Sequence, residues 1–486
     1  MNTENMHTAK EKRLKELFAS WVGSESESFD LLPKSGSNRK YYRISGGGRS
    51  AIGVVGENDR ENAAFVSFSR ALREAGVNVP EVYADDLKEG VYLQQDLGSL
   101  SLYDYIISER GKNGGKFPTS VKTIYKKVLA QLYDIQHKGW KVINFKMCYP
   151  RVAFDKQSMQ WDIQYFKYYF LRLAGIAYDE DKLEADFAKL ISYLSEANSK
   201  YFLYRDFQSR NIMLDEELNP WFIDFQGGRQ GARQYDVASL LYDAKADIPS
   251  SVRNELLTSY VMHLKQNEVE SFSRYYYGFC LMRIMQAMGA YGFRGYFERK
   301  EHFLKSIPFA QDNLREIVGK NFPNIGADYL KKVLTEVAES STLRSLGCER
   351  KRLCVHVGSF SYKHGIPVDT SGNGGGHVFD CRALPNPGRY EEYKHSTGRD
   401  SDVRSFFAEH SQEMSAFLDG VKAIVGMSVD NYIERGFANL MVSFGCTGGQ
   451  HRSVYCAEMT ANWLSEKYPE IEVELFHHEQ TQLNKK

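Results

Sequence analysis

The chain has no excess of charge of either sign: its 486 residues include 62 Lys+Arg and 62 Asp+Glu. That balance leaves no global field to draw in nucleic acid or an anionic membrane. Paired cysteines are missing too. The seven cysteines (Cys148, Cys280, Cys348, Cys354, Cys381, Cys446 and Cys456) are odd in number, scattered, and free of C-x-x-C pairs. This excludes a disulfide framework or a zinc site of familiar spacing and fits a reducing compartment. No H-x-x-x-H or H-E-x-x-H occurs, and the adjacent His477 and His478 would not share a helix face; no structural metal is expected. No apolar run approaches the roughly 18 residues of a membrane span, and the opening MNTENMHTAKEKRLKELF lacks a signal peptide's apolar core. A soluble, cytoplasmic protein with no membrane partner is expected. There is no internal repeat.

What is present is globular: 42% of residues are hydrophobic and 13% aromatic. The length calls for two or three domains. Leu14, Leu17, Phe18 and Trp21 repeat at helical spacing. LPKSGSNRKYYRISGGGRSAIGVV reads as two β-type runs around small, polar, glycine-containing turns, and EGVYLQQDLG as another strand. Phe65, Phe68, Leu72 and Ala75 share one helical face that Gly76 ends. From about residue 118 to 335 the pattern is helical, broken by 201–228. The polar stretch 339–352, ESSTLRSLGCERKR, reads as a linker. Beyond it LCVHV, HVFDC and NLMVSFG read as buried strands and SVYCAEMTANWLSEKY as a helix, predicting a separate α/β domain. Eight of the twelve histidines fall there.

The segment YFLYRDFQSRNIMLDEELNPWFIDFQGG carries chemistry. Asp206 and Asn211 stand five residues apart, the interval of Asp and Asn in the kinase catalytic loop, and Asp224 follows a short apolar strand. Phosphoryl transfer needs a carboxylate beside the acceptor hydroxyl and oxygen ligands for magnesium. Asp206 would take or orient the acceptor proton, and Asn211 and Asp224 would hold Mg2+. The alternative is a hairpin with Asp and Asn in its turns.

With SGSNRKYYRI, AGVNVPEVYADDLKEGVYLQQDLG, YRDFQSRNIML, FIDFQGGRQGARQYDVASLLYDAKADI and LMRIMQAMGAYG, the first two-thirds resembles the aminoglycoside phosphotransferase (APH)-type kinases. Within them it is most similar to the cell-wall-recycling kinases that phosphorylate N-acetylmuramate and N-acetylglucosamine on the anomeric hydroxyl. The resemblance implies an α+β, bilobal protein-kinase-like fold over 1–338 (lobes about 1–97 and 98–338), a linker over 339–352, and a smaller α/β domain over 353–486. It implies ATP and Mg2+ as cofactors, Asp206 as base, and Asn211 and Asp224 as metal ligands. It puts Ser35, Gly36, Ser37 and Arg39 in a phosphate-covering loop, and Gln94, Gln95, Asp96 and Leu97 near the adenine hinge. Asp236 would anchor the C-lobe, and Tyr204, where many relatives have histidine, would support packing. One family feature is missing: SAIGVVGE offers no third-strand lysine. Arg39 or Arg43 is left to replace it, and Glu61 is left without its usual ion-pair role. Other acceptors of that fold (aminoglycoside, choline, homoserine), or a regulator without catalysis, are the alternatives.

MVSFGCTGGQHRSVYCAE reads as strand, glycine-rich loop and helix, an arrangement that aims backbone N–H groups and a positive helix end at an anion. Arg452 could add a bidentate fork. The spacing of Cys446 and Arg452 also matches a cysteine-dependent phosphatase, although a small buried strand-end residue is the plainer role for Cys446. With SFSYKHGIP, VFDCRALPNPG and GCTGGQHRSVYCAE, residues 353–486 resemble the C-terminal domain of the RNase adapter RapZ. That resemblance implies a module sensing glucosamine-6-phosphate, with His364, Thr447, Gly448, Gly449, His451 and Arg452 as sugar-phosphate contacts. The family's RNA role transfers poorly, because residues 351–486 hold 14 basic against 17 acidic residues and RNA binding draws on phosphate neutralisation. Gln450 also stands where that family tends to have lysine.

Overall fold

The computed structural model describes residues 3–33, 39–298, 300–346, 352–367, 369 and 375–483. The chain divides into two compact units, one reaching Ala290 and resuming over Ser306–Leu343, the other made of Tyr291–Lys305 and the chain from Arg344 on. The stretch read as a linker is helical over Ser341–Ser345, with Leu343 buried. Its polar composition reflects the exposed sides of that short helix. Residues 347–351 lie outside the described residues.

The first unit opens with the helix Thr3–Val22, whose Leu14 and Phe18 are fully buried. They pack under a five-stranded antiparallel sheet: β1 (Ser28–Leu31), β2 (Lys40–Gly46), β3 (Arg49–Val55), β4 (Val82–Asp86) and β5 (Val91–Gln95), in the order β1-β2-β3-β5-β4. Asn58 starts the helix Asp59–Glu74 by accepting the N–H groups of Arg60 and Glu61, and Gly76, at φ +76°, ends the turn beyond it. This is the smaller lobe that the sequence predicts.

The larger lobe is helical, built on Thr119–Val142, Glu180–Leu194, Gln266–Gly292 and Asp328–Glu339. Two small antiparallel ribbons sit among these helices: β6 (Tyr201–Leu203) with β9 (Arg229–Gly231), and β7 (Ile212–Leu214) with β8 (Pro220–Phe222). They interrupt the helical pattern where the sequence breaks it. Gly139 lets β6 lie close to its helix, because a Cβ there would come within 2.7 Å of Phe202.

The second unit contains an all-parallel sheet, β11 (His377–Asp380), β12 (Asn439–Cys446), β10 (Cys354–Ser361) and β13 (Glu472–His477), ordered β11-β12-β10-β13. The central strands β10 and β12 are buried almost throughout, which is why they read as continuous apolar runs. Helices Ser411–Glu434 and Arg452–Lys467 contribute Val425, Ala457 and Leu464 to one core with Val355, Val442 and Phe444. β13 escapes sequence reading because it is an edge strand in which glutamates alternate with Val473 and Leu475. Among the described residues no helix is long and apolar enough to cross a membrane.

Candidate functional site

The turn after β6 and the turn after β8 meet. Asn211 donates its Nδ2 both to the Asp206 carbonyl, at 2.9 Å, and to Asp224 Oδ2, at 3.2 Å. The three residues of the sequence motif therefore share one place. Gln226, which the motif did not include, donates to Asp224 Oδ1 at 2.6 Å; its position two residues after Asp224 was the available signal. Burial, and next the negative charge of Asp206, push the Asp224 carboxyl above the usual carboxylate range, against the hydrogen bond from Gln226 and the charge of Arg39. Two crowded carboxylates supply hard-oxygen donors that suit Mg2+, and the Asn211 amide, whose nitrogen here binds Asp224, could add its oxygen.

The loop is held from beneath by Asp236 in the helix Gln234–Leu241. Its carboxyl accepts the N–H groups of Tyr204, at 2.8 Å, and Arg205, at 3.0 Å. Burial pushes this carboxyl up to about 7 despite those donors. Arg205 adopts φ +85° and Asp224 φ +69°, left-handed conformations that only a fixed framework holds in non-glycine residues. The Arg205 guanidinium is clamped by both oxygens of Asp162, at 2.6 and 2.8 Å, and by the Tyr235 hydroxyl at 2.8 Å. Asp162 lies on another helix some forty residues away, which hides its role from the sequence. Tyr204 is buried and its hydroxyl donates to the Ile223 carbonyl, so it ties the strand before Asp206 to the turn before Asp224.

In the small lobe, Arg39 is only 7% exposed, and its Nη2 lies 3.2 Å from Glu61 Oε2. Arg43 is instead bound to Asp96, at 2.7 and 3.0 Å, and to the Gly98 carbonyl. The choice between the two arginines is thereby narrowed: Arg39 faces Glu61 and Asp224, whereas Arg43 braces the segment after β5. Glu61 gains a cationic partner after all, supplied by the start of β2 rather than by β3. On its helix, Phe65 stacks on Phe225 at 4.8 Å and on Tyr92 at 5.1 Å, coupling Asp224 to the sheet. Gln94 is buried, its side-chain oxygen without a partner among the described residues, while Gln95 accepts the Glu81 N–H and Leu97 is half-buried. Ser35, Gly36 and Ser37 lie outside the described residues.

In the second unit the glycine-rich loop follows β12. The Thr447 carbonyl accepts the Ser361 hydroxyl at 2.7 Å. Gly449 has φ +66°, and a Cβ there would lie 3.0 Å from the Ser361 nitrogen and 2.4 Å from Glu479. Glu479 also pairs with His364 at 2.9 Å, so His364 and Gly449 share a neighbour, and Gly448 stands in open space. His451 is turned aside, its Nε2 donating to the Tyr393 carbonyl. Arg452 is 6% exposed, with Nη1 committed to the carbonyls of Arg382 and Leu384. Its Nε is buried without a partner among the described residues. Cys446 is buried, accepting the Gly449 N–H at 3.2 Å and lying 3.1 Å from the Ser453 hydroxyl; its contacts are those of a strand-end side chain built into the loop.

Residues 29–268 match the profile of the phosphotransferase enzyme family (APH), and residues 353–481 match that of the RapZ C-terminal domain. A nucleotide-binding protein of Thermosipho africanus is 31% identical over 145 residues, 30% of this chain and 47% of that protein. One of Thiobacillus denitrificans is 43% identical over 116 residues, 24% of this chain and 40% of that protein. The chain spans about half the length of the curated relatives it matches. Among solved structures, choline kinase LicA from Streptococcus pneumoniae is similar at 15% identity and TM-score 0.38, covering 68% of this chain and 99% of that one. Spectinomycin phosphotransferase APH(9)-Ia, in complex with ADP and spectinomycin, is similar at 12% identity and TM-score 0.42, covering 68% and 98%. The chain thus carries an APH phosphotransferase domain of protein-kinase-like fold, followed by a RapZ C-terminal α/β domain with a parallel sheet.

Proposed function

We propose that the chain is an ATP- and Mg2+-dependent kinase acting on an amino sugar, N-acetylmuramate or N-acetylglucosamine, at its anomeric hydroxyl. The observation that carries this reading is the meeting of Asp206, Asn211 and Asp224 at one point. Asp206 accepts the sugar hydroxyl proton as that oxygen attacks the γ-phosphorus; the bond to the β-phosphate oxygen breaks and ADP leaves. Asn211 and Asp224 would hold Mg2+, which would supply charge neutralisation at the transferring phosphoryl group. Arg39, positioned by Glu61, supplies the phosphate cation that β3 lacks, and Gln94 to Leu97 border the adenine.

An acidic sugar such as N-acetylmuramate needs a cation near the base. Four arginines near the catalytic segments, Arg210, Arg229, Arg233 and Arg283, are candidates: Arg233 is paired with Glu268 at 3.1 Å, and Arg283 with Ser239 and Gln286. Arg210 lies over the Tyr103 ring. Arg229 is buried beside the Gly227 and Tyr149 carbonyls. Burial, and then the charge of Arg205, hold its guanidinium below the ordinary value while Asp206 opposes them, and it is the one we assign to the acceptor side. The C-terminal domain would bind glucosamine-6-phosphate at Thr447, Gly448 and Gly449 with His364 beside them, His451 and Arg452 bracing the loop through backbone carbonyls, and would report sugar supply to the kinase.

ADP release with ATP and Mg2+ tests the reading against N-acetylmuramate, N-acetylglucosamine, glucosamine, choline and one aminoglycoside, each with and without glucosamine-6-phosphate. Turnover confined to the N-acetylated sugars supports it; turnover of choline or the aminoglycoside alone reassigns the acceptor. Silence throughout favours a non-catalytic regulator.

A further inference from the structure

We propose a zinc site at the N-terminal edge of the parallel sheet, formed by Cys354, His356 and Glu474. Cys354 and His356 alternate along β10 and so project from the same face, and Glu474 of β13 is the register partner of His356. One ligand atom from each lies within 4.8 Å of the others. His356 Nδ1 is 4.0 Å from Cys354 Sγ and 2.9 Å from Glu474 Oε2. With zinc–sulfur bonds of about 2.3 Å and zinc–nitrogen or zinc–oxygen bonds of about 2.0 Å, a tetrahedron separates its ligand atoms by roughly 3.3–3.7 Å. The sulfur–nitrogen and nitrogen–oxygen separations bracket that range, and the sulfur–oxygen pair, within 4.8 Å, closes on a shared ion by a rotation of the half-exposed Glu474 side chain.

The histidine is oriented as a ligand. Its Nε2 lies 3.0 Å from the Asn439 side-chain oxygen on β12. An amide oxygen only accepts, so Nε2 donates to it, and Nδ1 is the ring nitrogen turned to the cysteine and glutamate. This outer partner is the arrangement that fixes a metal-bound imidazole. A ring nitrogen and a carboxylate oxygen 2.9 Å apart share a proton or a metal ion. A proton would serve the two alone, whereas a metal ion also uses the nearby sulfur. The thiolate, imidazole and carboxylate mixture suits zinc over magnesium or calcium. Binding would turn the Cys354 thiol into a thiolate and release its proton to water, and Glu474 is half-exposed, so water can complete the coordination.

The site ties β10 to β12 and to the edge strand β13, roughly 20 Å from the glycine-rich loop at the other end of the strands. Its role is therefore to brace the sheet. No metal spacing is visible in the sequence because the third ligand arrives only through strand pairing.

The test uses the full chain, reduced and freed of metal, titrated with Zn2+ alone and with Co2+ as a spectroscopic probe. Expected are one zinc bound more by the native chain than by Cys354→Ser, and a near-ultraviolet thiolate-to-cobalt band that Cys354→Ser loses. Glu474→Gln, on a half-exposed side chain and close in shape to the native residue, should weaken zinc binding at least about tenfold, and Asn439→Ala about 10–100-fold. Zinc should raise the melting temperature of the native chain but not of Cys354→Ser. Equal zinc stoichiometry and identical cobalt spectra in the native chain, Cys354→Ser and Glu474→Gln would overturn the proposal and leave a proton-bridged His356–Glu474 pair.

Discussion

Asp206, Arg39 and Asp236 do different work within one site, and their variants should fail differently. Asp206→Asn removes the proposed proton acceptor while keeping the side chain's shape, so turnover should drop about 10²–10⁴-fold with ATP binding retained, as calorimetric titration would show. Arg39→Ala removes a buried charge that faces Glu61 and Asp224. Losing a charge-assisted contact to phosphate of about 1.5–3 kcal/mol should cut kcat/KM for ATP roughly 10–100-fold. Arg43→Ala, which unpairs the largely buried Asp96, should cost about 1–3 kcal/mol of stability and raise KM for ATP through the adenine segment while leaving kcat nearly unchanged. If the two variants exchange these phenotypes, the phosphate cation is wrongly assigned. Asp236→Ala orphans the N–H groups of Tyr204 and Arg205; a loss of about 1–3 kcal/mol per orphaned group is expected by denaturant titration.

At the scale of elements, legibility followed the range of the interactions. Asp206, Asn211 and Asp224 were readable because the two ribbons are local, and the chain itself carries the spacing of the site. Asp162 was not, since only tertiary packing brings its helix to Arg205. The partner of Glu61 was hidden for the same reason: Arg39 reaches it from the start of β2. β10 and β12 were legible as buried parallel strands, whereas β13 carried the mixed pattern of an edge. Gly449 belongs to this scale as well. A side chain at φ +66° against Ser361 and Glu479 distorts the whole loop, so Gly449→Ala should destabilise it by about 1–3 kcal/mol and weaken glucosamine-6-phosphate binding in calorimetry.

The two units should also respond separately to acid. In the C-terminal unit His477 lies between the Ser359 hydroxyl, at 2.8 Å, and Glu458, at 3.1 Å. Burial holds its imidazole below the ordinary value, with Glu458 opposing, and burial lowers His377 and His478 in the same way. A lowered folded value means that the unfolded chain binds more protons. Their contribution is therefore complete above about pH 6.5 and is lost as pH falls below it through the lower folded values. Melting followed from pH 7.5 to 5 should show the unit containing these histidines losing stability across that window. An increase there would contradict the lowering of these histidines in the folded unit.

Phosphorus NMR of the product formed from ATP, Mg2+ and N-acetylmuramate or N-acetylglucosamine tests the central claim most directly. The account predicts a sugar phosphate whose phosphorus couples to the anomeric proton, formed by the native chain and absent with Asp206→Asn. A phosphate on any other carbon, or equal product from the Asp206→Asn chain, would contradict it.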